Sequence, residues 1–166
     1  MAQYTDFKYY QTEYNGKKVT EDEFKVYARK AQRRMDQITM GKLSFAFPVN
    51  KDSVIAVKDC ICELVDFMKS VDDYRKNLND SAGYKTGENG EAIGRIITSV
   101  TSGSESRSYS SGSGDKTTLS EAAKDEKVFD MQIYSVIKDN LSMMEDANGV
   151  NLLYAGPYPG KCEIWE

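Results

Sequence analysis

Val54–Met68, VIAVKDCICELVDFM, decides how the rest of the chain is read. Val54, Val57, Ile61, Leu64, Val65 and Met68 recur at spacings of three and four, the period of one helix face. The pattern continues without a breaker from about Asp52 to about Leu78. It is the most apolar helical pattern in the sequence, so it reads as the centre of a helical bundle. Cys60 and Cys62 lie two apart within it; their side chains diverge and read as small packed thiols. Cys162 stands far away, and the chain has neither a CxxC pair nor a metal-ligand spacing.

Upstream, Phe45-Ala46-Phe47-Pro48 interrupts the pattern, and a second helix is predicted from Glu21 to Met40. Thr20 with Glu23 forms a capping box at its start. Phe24, Tyr27, Ala28, Ala31, Met35 and Ile38 line one face, acids precede bases in the order that suits the helix dipole, and Gly41 ends it. Lys25, Arg29 and Arg33 make a basic stripe. It would suit nucleic acid or an acidic neighbouring subunit, but a charge run reads most simply as solvated surface. A short helix from Asp6 to Tyr14, with Thr5 as N-cap, is stopped by Asn15-Gly16. Tyr4, Phe7, Tyr10 and Tyr14 fall at helical spacing and read as a packing face.

Downstream, Asn79-Asp80-Ser81 and the glycines from Gly83 to Gly94 read as loop, and Gly94–Val100 as a strand. Ile96–Gly114, IITSVTSGSESRSYSSGSG, is too long and too polar for an ordinary connection inside a compact domain. Its β-branched start is not linker composition, so it reads as an extended arm, with Ser110–Gly114 as the return to the last helix. That helix is predicted from just after Thr118, with Glu121 completing a capping box, to about Asp146. Val128, Met131, Ile133, Tyr134, Ile137, Leu141 and Met144 form its apolar pattern. Asn148-Gly149 stops it, and Leu152, Leu153 and Tyr154 in the Pro/Gly-punctuated remainder read as a short strand.

The expected fold is therefore mainly α: a small bundle of about four helices with an extended mid-chain loop/β arm and an extended C-terminal tail. Residues 1–149, with the arm at 80–117, form the helical body, and residues 150–166 the tail. A net charge of −4 does not suit a dedicated nucleic-acid binder. No apolar run is long enough to span a bilayer, and MAQYTDFKYY lacks the apolar centre of a signal peptide, so synthesis in a reducing cytosol is expected. The chain has no histidine, which removes the usual acid/base near neutral pH and the commonest metal ligand. Gly87 and Gly90 are each followed by glutamate where a phosphate loop needs bases. The bare GxxG from Gly87 to Gly90 carries little weight as an RNA-binding loop. Asp72-Asp73 and Glu145-Asp146 are adjacent acids pointing different ways, and the arm's serines have no activating base. No catalytic, cofactor-binding or metal-binding residues are expected. What remains is an interaction protein whose extended segments can add strands to another chain.

Four blocks also carry a resemblance. They are ARKAQRRMDQITMGKL (Ala28–Leu43), VKDCICELVDFM (Val57–Met68), IITSVTSGSESRSYS (Ile96–Ser110) and LLYAGPY (Leu152–Tyr158). In this order the chain resembles the head–tail connector, or adaptor, proteins of tailed bacteriophages, especially those of Gram-positive hosts. They correspond to family patterns of the form A-x-x-x-I-D-x-x-T-x-G-R-L, V-K-x-C-x-x-E-L, I-x-S-E-S-x-G-x-Y-S and L-L-Y-R-G-V. Family members often carry Ile where Met35 stands and Arg where Lys42 and Ala155 stand; Val71–Glu91 has no counterpart.

The resemblance implies a structural, non-enzymatic virion protein of the phage neck, made in the host cytoplasm. It implies a ring of about twelve copies, held by heterologous contacts that close only if the rotation per subunit divides the circle. The ring would join the portal to a stopper or tail-terminator protein and extend the DNA channel, with no sequence-specific DNA contact and no membrane. Leu152, Leu153, Tyr154, Tyr158 and Trp165 are the expected portal-docking residues. Ile96, Ile97, Val100, Glu105, Arg107 and Tyr109 are the expected inter-subunit arm. The alternatives are a stopper-type neck protein, a helical nucleic-acid-binding module using Lys25, Arg29 and Arg33, and, more remotely, a carboxylate-dependent enzyme.

Overall fold

A computed structural model describes residues 4–80, 82–86, 92–96, 99–102, 105–107 and 118–159. The helices are α1 (Phe7–Thr12), α2 (Glu21–Ile38), α3 (Lys42–Phe45), α4 (Lys51–Asp80), α5 (Thr118–Lys124) and α6 (Glu126–Leu141). The strands are β1 (Ala82–Thr86), β2 (Ala92–Ile96), β3 (Ser99–Ser102) and β4 (Glu105–Arg107). The mainly helical bundle expected from the sequence is what forms. The chain divides into two compact units, residues 1–69 with 130–166, and residues 70–129.

In the first unit α4 is the central element. Val57, Cys60, Ile61, Cys62, Leu64 and Val65 are all fully buried, so neighbours cover it on most sides. Phe24, Ala28, Ala31 and Met35 of α2 and Ile133, Ile137 and Leu141 of α6 complete the core. Burial pushes the Cys62 thiol up to about 12, aided by Asp59, and raises Cys60 as well, so both are inert apolar fillers rather than nucleophiles.

The capping box of α2 is complete. The Thr20 hydroxyl accepts from the Glu23 amide at 3.5 Å, and the Glu23 carboxylate accepts from the Thr20 amide at 3.0 Å. Lys69 of α4 adds an ion pair to Glu23 at 2.9 Å. The helix ends two residues earlier than the sequence suggests, at Ile38, because Met40 and Gly41 both take the left-handed conformation. The Gly41 amide bonds back to the Asp36 carbonyl at 2.7 Å, closing the last turn. Gly41 is then the N-cap of α3, a single turn ahead of the break expected at Phe45–Pro48.

Three further expectations need correction. The N-cap of α1 is Asp6, not Thr5: the Asp6 carboxylate accepts from the Tyr9 amide at 2.8 Å, whereas Thr5 is buried. The last helix is two helices broken at Asp125. That residue's amide ends α5 on the Glu121 carbonyl, and its carboxylate caps α6 through the Lys127 amide at 2.8 Å. Met131 and Tyr134, expected on the apolar face of α6, are exposed, and only Ile133, Ile137 and Leu141 of that helix are buried. A helix packed along one narrow line buries i, i+4 and i+8, and residues displaced from that line face water.

In the second unit Arg75 of α4 is the organising side chain. Its guanidinium donates to the carbonyls of Ala123 (2.9 Å) and Ala122 (3.4 Å) and lies over the Phe129 ring. It thereby satisfies carbonyls at the C-terminus of α5 that the helix leaves unpaired. The arm is more regular than expected. β1 and β2 form an antiparallel hairpin pairing Ala82 with Ile96 and Thr86 with Ala92, so the glycine-rich stretch read as loop supplies a strand. The strand expected at Gly94–Val100 is divided between β2 and β3, and β3 pairs with β4 (Ser99 with Arg107, Ser102 with Glu105).

Candidate functional site

The strongest constellation lies where the turn after α2 meets the segment that follows α6. Lys42, at the start of α3, is buried. Its Nζ donates to the Leu152 carbonyl at 3.2 Å and to the Tyr154 carbonyl, and lies 6.0 Å from the centre of the Tyr154 ring. Burial holds its pKa below the ordinary lysine value, and the charge of Asp146 works in the opposite direction. Leu152 is fully buried and seals the corner beneath it.

Asp146 is the second buried charge, and it shapes the turn. Its Oδ1 accepts from the amides of Asn148 (2.8 Å) and Val150 (3.0 Å), and its Oδ2 accepts from the Tyr158 hydroxyl at 2.6 Å. Burial acts to raise its pKa, but the Tyr158 hydroxyl, the two amides and Lys42 together hold it below the usual carboxylate value. Gly149 takes the left-handed conformation that a turn wrapped round one carboxylate requires. The Ala147 amide donates to the Ala46 carbonyl at 3.2 Å and the Leu152 amide to the Met144 carbonyl at 2.8 Å. The Tyr158 ring meets Phe45 edge-on at 5.1 Å. The arrangement binds backbone to backbone; it places no base beside a nucleophile. Among the described residues no group of three or more His, Cys, Asp or Glu side chains is placed to hold a metal ion. No helix of the described residues is long and apolar enough to cross a membrane.

Leu152, expected to dock on a partner, is wholly inside the body and is unavailable to one. Leu152–Tyr154 is not a strand: it follows an isolated bridge between Glu145 and Asn151 and runs through turns. Tyr154 is exposed, Leu153 and Tyr158 are half-buried, and Trp165 lies outside the described residues. Ile96 lies in β2, Val100 in β3, and Glu105 and Arg107 in β4; Ile97 and Tyr109 lie outside the described residues.

Lys25, Arg29 and Arg33 are all exposed along one side of α2, and Lys25 is paired with Glu21 at 2.9 Å and Asp22 at 3.6 Å. Its positive charge is partly answered within its own helix. Sequence reasoning missed Lys42 and Asp146. The Asp-x-Asn-Gly turn was a usable signal for Asp146, but a lysine's burial against distant carbonyls has no local signature.

No protein-family model, no characterised protein and no solved structure matches this chain.

Proposed function

We propose that this chain is a structural protein of the bacteriophage neck. It forms a ring that joins the portal to the stopper or tail-terminator protein and extends the DNA channel. The observation that carries this reading is the meeting of two connector-like blocks. Lys42, in GKL of the first block, is bonded to the carbonyls of Leu152 and Tyr154 in LLYAGPY of the fourth. Residues far apart in sequence that resemble one family thus share one structural task. The paired hairpins of the arm add support: a two-stranded hairpin is marginal alone and leaves edges open to a neighbouring copy.

On this reading the protein is not an enzyme and carries no cofactor. It is made in the host cytoplasm, resides at the head–tail junction, and passes DNA without reading its sequence. Ile96, Val100, Glu105 and Arg107 belong to the contacts between copies, and Tyr154, Leu153 and Tyr158 present the portal-facing surface.

The test is co-sedimentation with an assembled portal. Wild type should travel with it. Tyr154→Ser with Leu153→Ser should lose portal binding while keeping its own assembly and its circular-dichroism spectrum. Failure of the wild-type protein to bind portal would overturn the assignment. A steep loss of affinity for DNA with rising salt, borne by Arg29 and Arg33, would favour the nucleic-acid module instead.

A further inference from the structure

Asn148-Gly149 closes the turn wrapped round Asp146, and it is also a chemically labile pair. Asparagine is among the less durable side chains of a protein. A following glycine has no Cβ to hinder attack by its amide nitrogen on the asparagine carboxamide. Both residues are exposed here, and Gly149 takes the left-handed conformation at φ 73°.

The turn holds both reacting groups. The Gly149 amide donates to the Asp146 carbonyl at 3.1 Å, and the Asn148 amide to Asp146 Oδ1 at 2.8 Å. Asn148 Nδ2 donates to the Tyr158 hydroxyl oxygen at 2.7 Å. That hydroxyl has one proton, and it goes to Asp146 Oδ2 at 2.6 Å. Burial, reinforced by Asp146, raises the Tyr158 pKa, so the phenol keeps its proton. Tyr158 therefore accepts from residue 148 and has nothing left to donate to it. An amide fits that position. A carboxylate there would meet an oxygen with no proton to offer and would stand beside Asp146, a like charge.

We propose that Asn148 is a modification site, deamidating by attack of the Gly149 amide once Tyr158 lets go of its side chain, and that the acid so formed releases Tyr158 and the turn at residues 150–158. The Gly149 nitrogen loses its proton and bonds to Cγ of Asn148. The Cγ–Nδ2 bond breaks, and Nδ2 takes up a proton and leaves as ammonia. Water then opens the cyclic imide at either carbonyl, leaving aspartate or its β-linked isomer. Water is the sole co-reactant, and the change runs one way. The inference stands on the Asp146–Tyr158–Asn148 network and does not depend on the neck assignment.

Asn15-Gly16 provides a comparison within the same molecule. Asn15 is exposed, its carboxamide reaches the Glu13 carbonyl at 3.5 Å, and the Gly16 amide donates to the Tyr10 carbonyl at 2.8 Å. Peptide mapping by mass spectrometry reads both sites during incubation of the full chain at mildly alkaline pH. Tyr158→Phe should speed the reaction at Asn148 by about two- to tenfold, the factor that one net hydrogen bond represents. The rate at Asn15 should stay as in wild type. Equal rates at Asn148 in wild type and variant would overturn the proposal. So would equal acceleration at both sites, which would mark a general loosening of the fold.

The effect of the product is read directly from Asn148→Asp, with Asn148→Ser as its uncharged counterpart. Limited proteolysis should cut Asn148→Asp within residues 150–158 several times faster than Asn148→Ser, while the circular-dichroism spectra of both match wild type. Cleavage of Asn148→Asp no faster than that of Asn148→Ser would show that the acid leaves Tyr158 in place and would contradict the proposal.

Discussion

Residues 4–14 and residues 146–158 are fastened to the helical body by opposite means. At the N-terminal end the agents are neutral phenols. Tyr4 donates to Asp36 (2.8 Å), Tyr9 to Asp59 (2.8 Å) and Tyr10 to Asp66 (2.6 Å). The Tyr10 oxygen also accepts from the Lys18 amide at 3.0 Å, and its ring packs 5.2 Å from that of Phe24. Burial, reinforced by Asp66, pushes the Tyr10 hydroxyl up to about 12, so it stays a donor throughout the ordinary pH range. At the C-terminal corner the agents are a buried ammonium and a buried carboxylate, each gathering backbone groups. The two regions are therefore vulnerable in different ways. The tyrosine contacts are several and parallel, so loss of one leaves the others. The corner rests on two charges and one leucine, and each is close to indispensable.

Leu152→Ala breaks the corner most severely. Removing a fully buried leucine side chain lowers stability by about 2–5 kcal/mol, read as a fall in denaturation midpoint at unchanged slope. Lys42→Met keeps the apolar stem but leaves the Leu152 and Tyr154 carbonyls without their donor, an expected loss of about 1–3 kcal/mol. Limited proteolysis should then cut first within residues 150–158. Tyr10→Phe removes one phenol of the clamp and, with the other tyrosines retained, should lower stability by about 1–2 kcal/mol in chemical denaturation. An equal or larger loss from Tyr10→Phe than from Lys42→Met would erase the contrast between the ends.

The smallest effect expected is a pH dependence at Glu23. The Thr20 amide and Lys69 lower its pKa from 4.5 to about 2. The folded carboxyl therefore binds its proton later than the unfolded one. Its contribution is full above pH 4.5 and is lost as pH falls toward 2. Glu23→Gln should be slightly less stable than wild type at neutral pH and indistinguishable near pH 2 in acid titrations followed by circular dichroism.

The helices were legible because their signals are local and repeated. The Thr20–Glu23 capping box and the Val57–Met68 face are written within a few residues of where they act. The break at Asp125 was missed because the Thr118–Glu121 start signal masked a second one: Asp125 followed by Glu126 and Lys127 is itself a capping sequence. The exposure of Met131 and Tyr134 was not legible, since residue type says what can be buried and the line of packing decides what is. The corner was legible only in part. LLYAGPY is distinctive in sequence, but its apolar residues suggest a short strand, whereas Leu152 turns inward and the segment runs through turns. Leu152 fills a space and Lys42 finds carbonyls more than a hundred residues away in sequence, and neither fact has a local sequence signal.

The measurement that bears most directly on the neck assignment is the mass of the assembled particle, by native mass spectrometry or light scattering, alone and with portal. The expected result is a closed ring of many copies that adds to the portal as one discrete species. A monomer that stays a monomer in the presence of portal would contradict it.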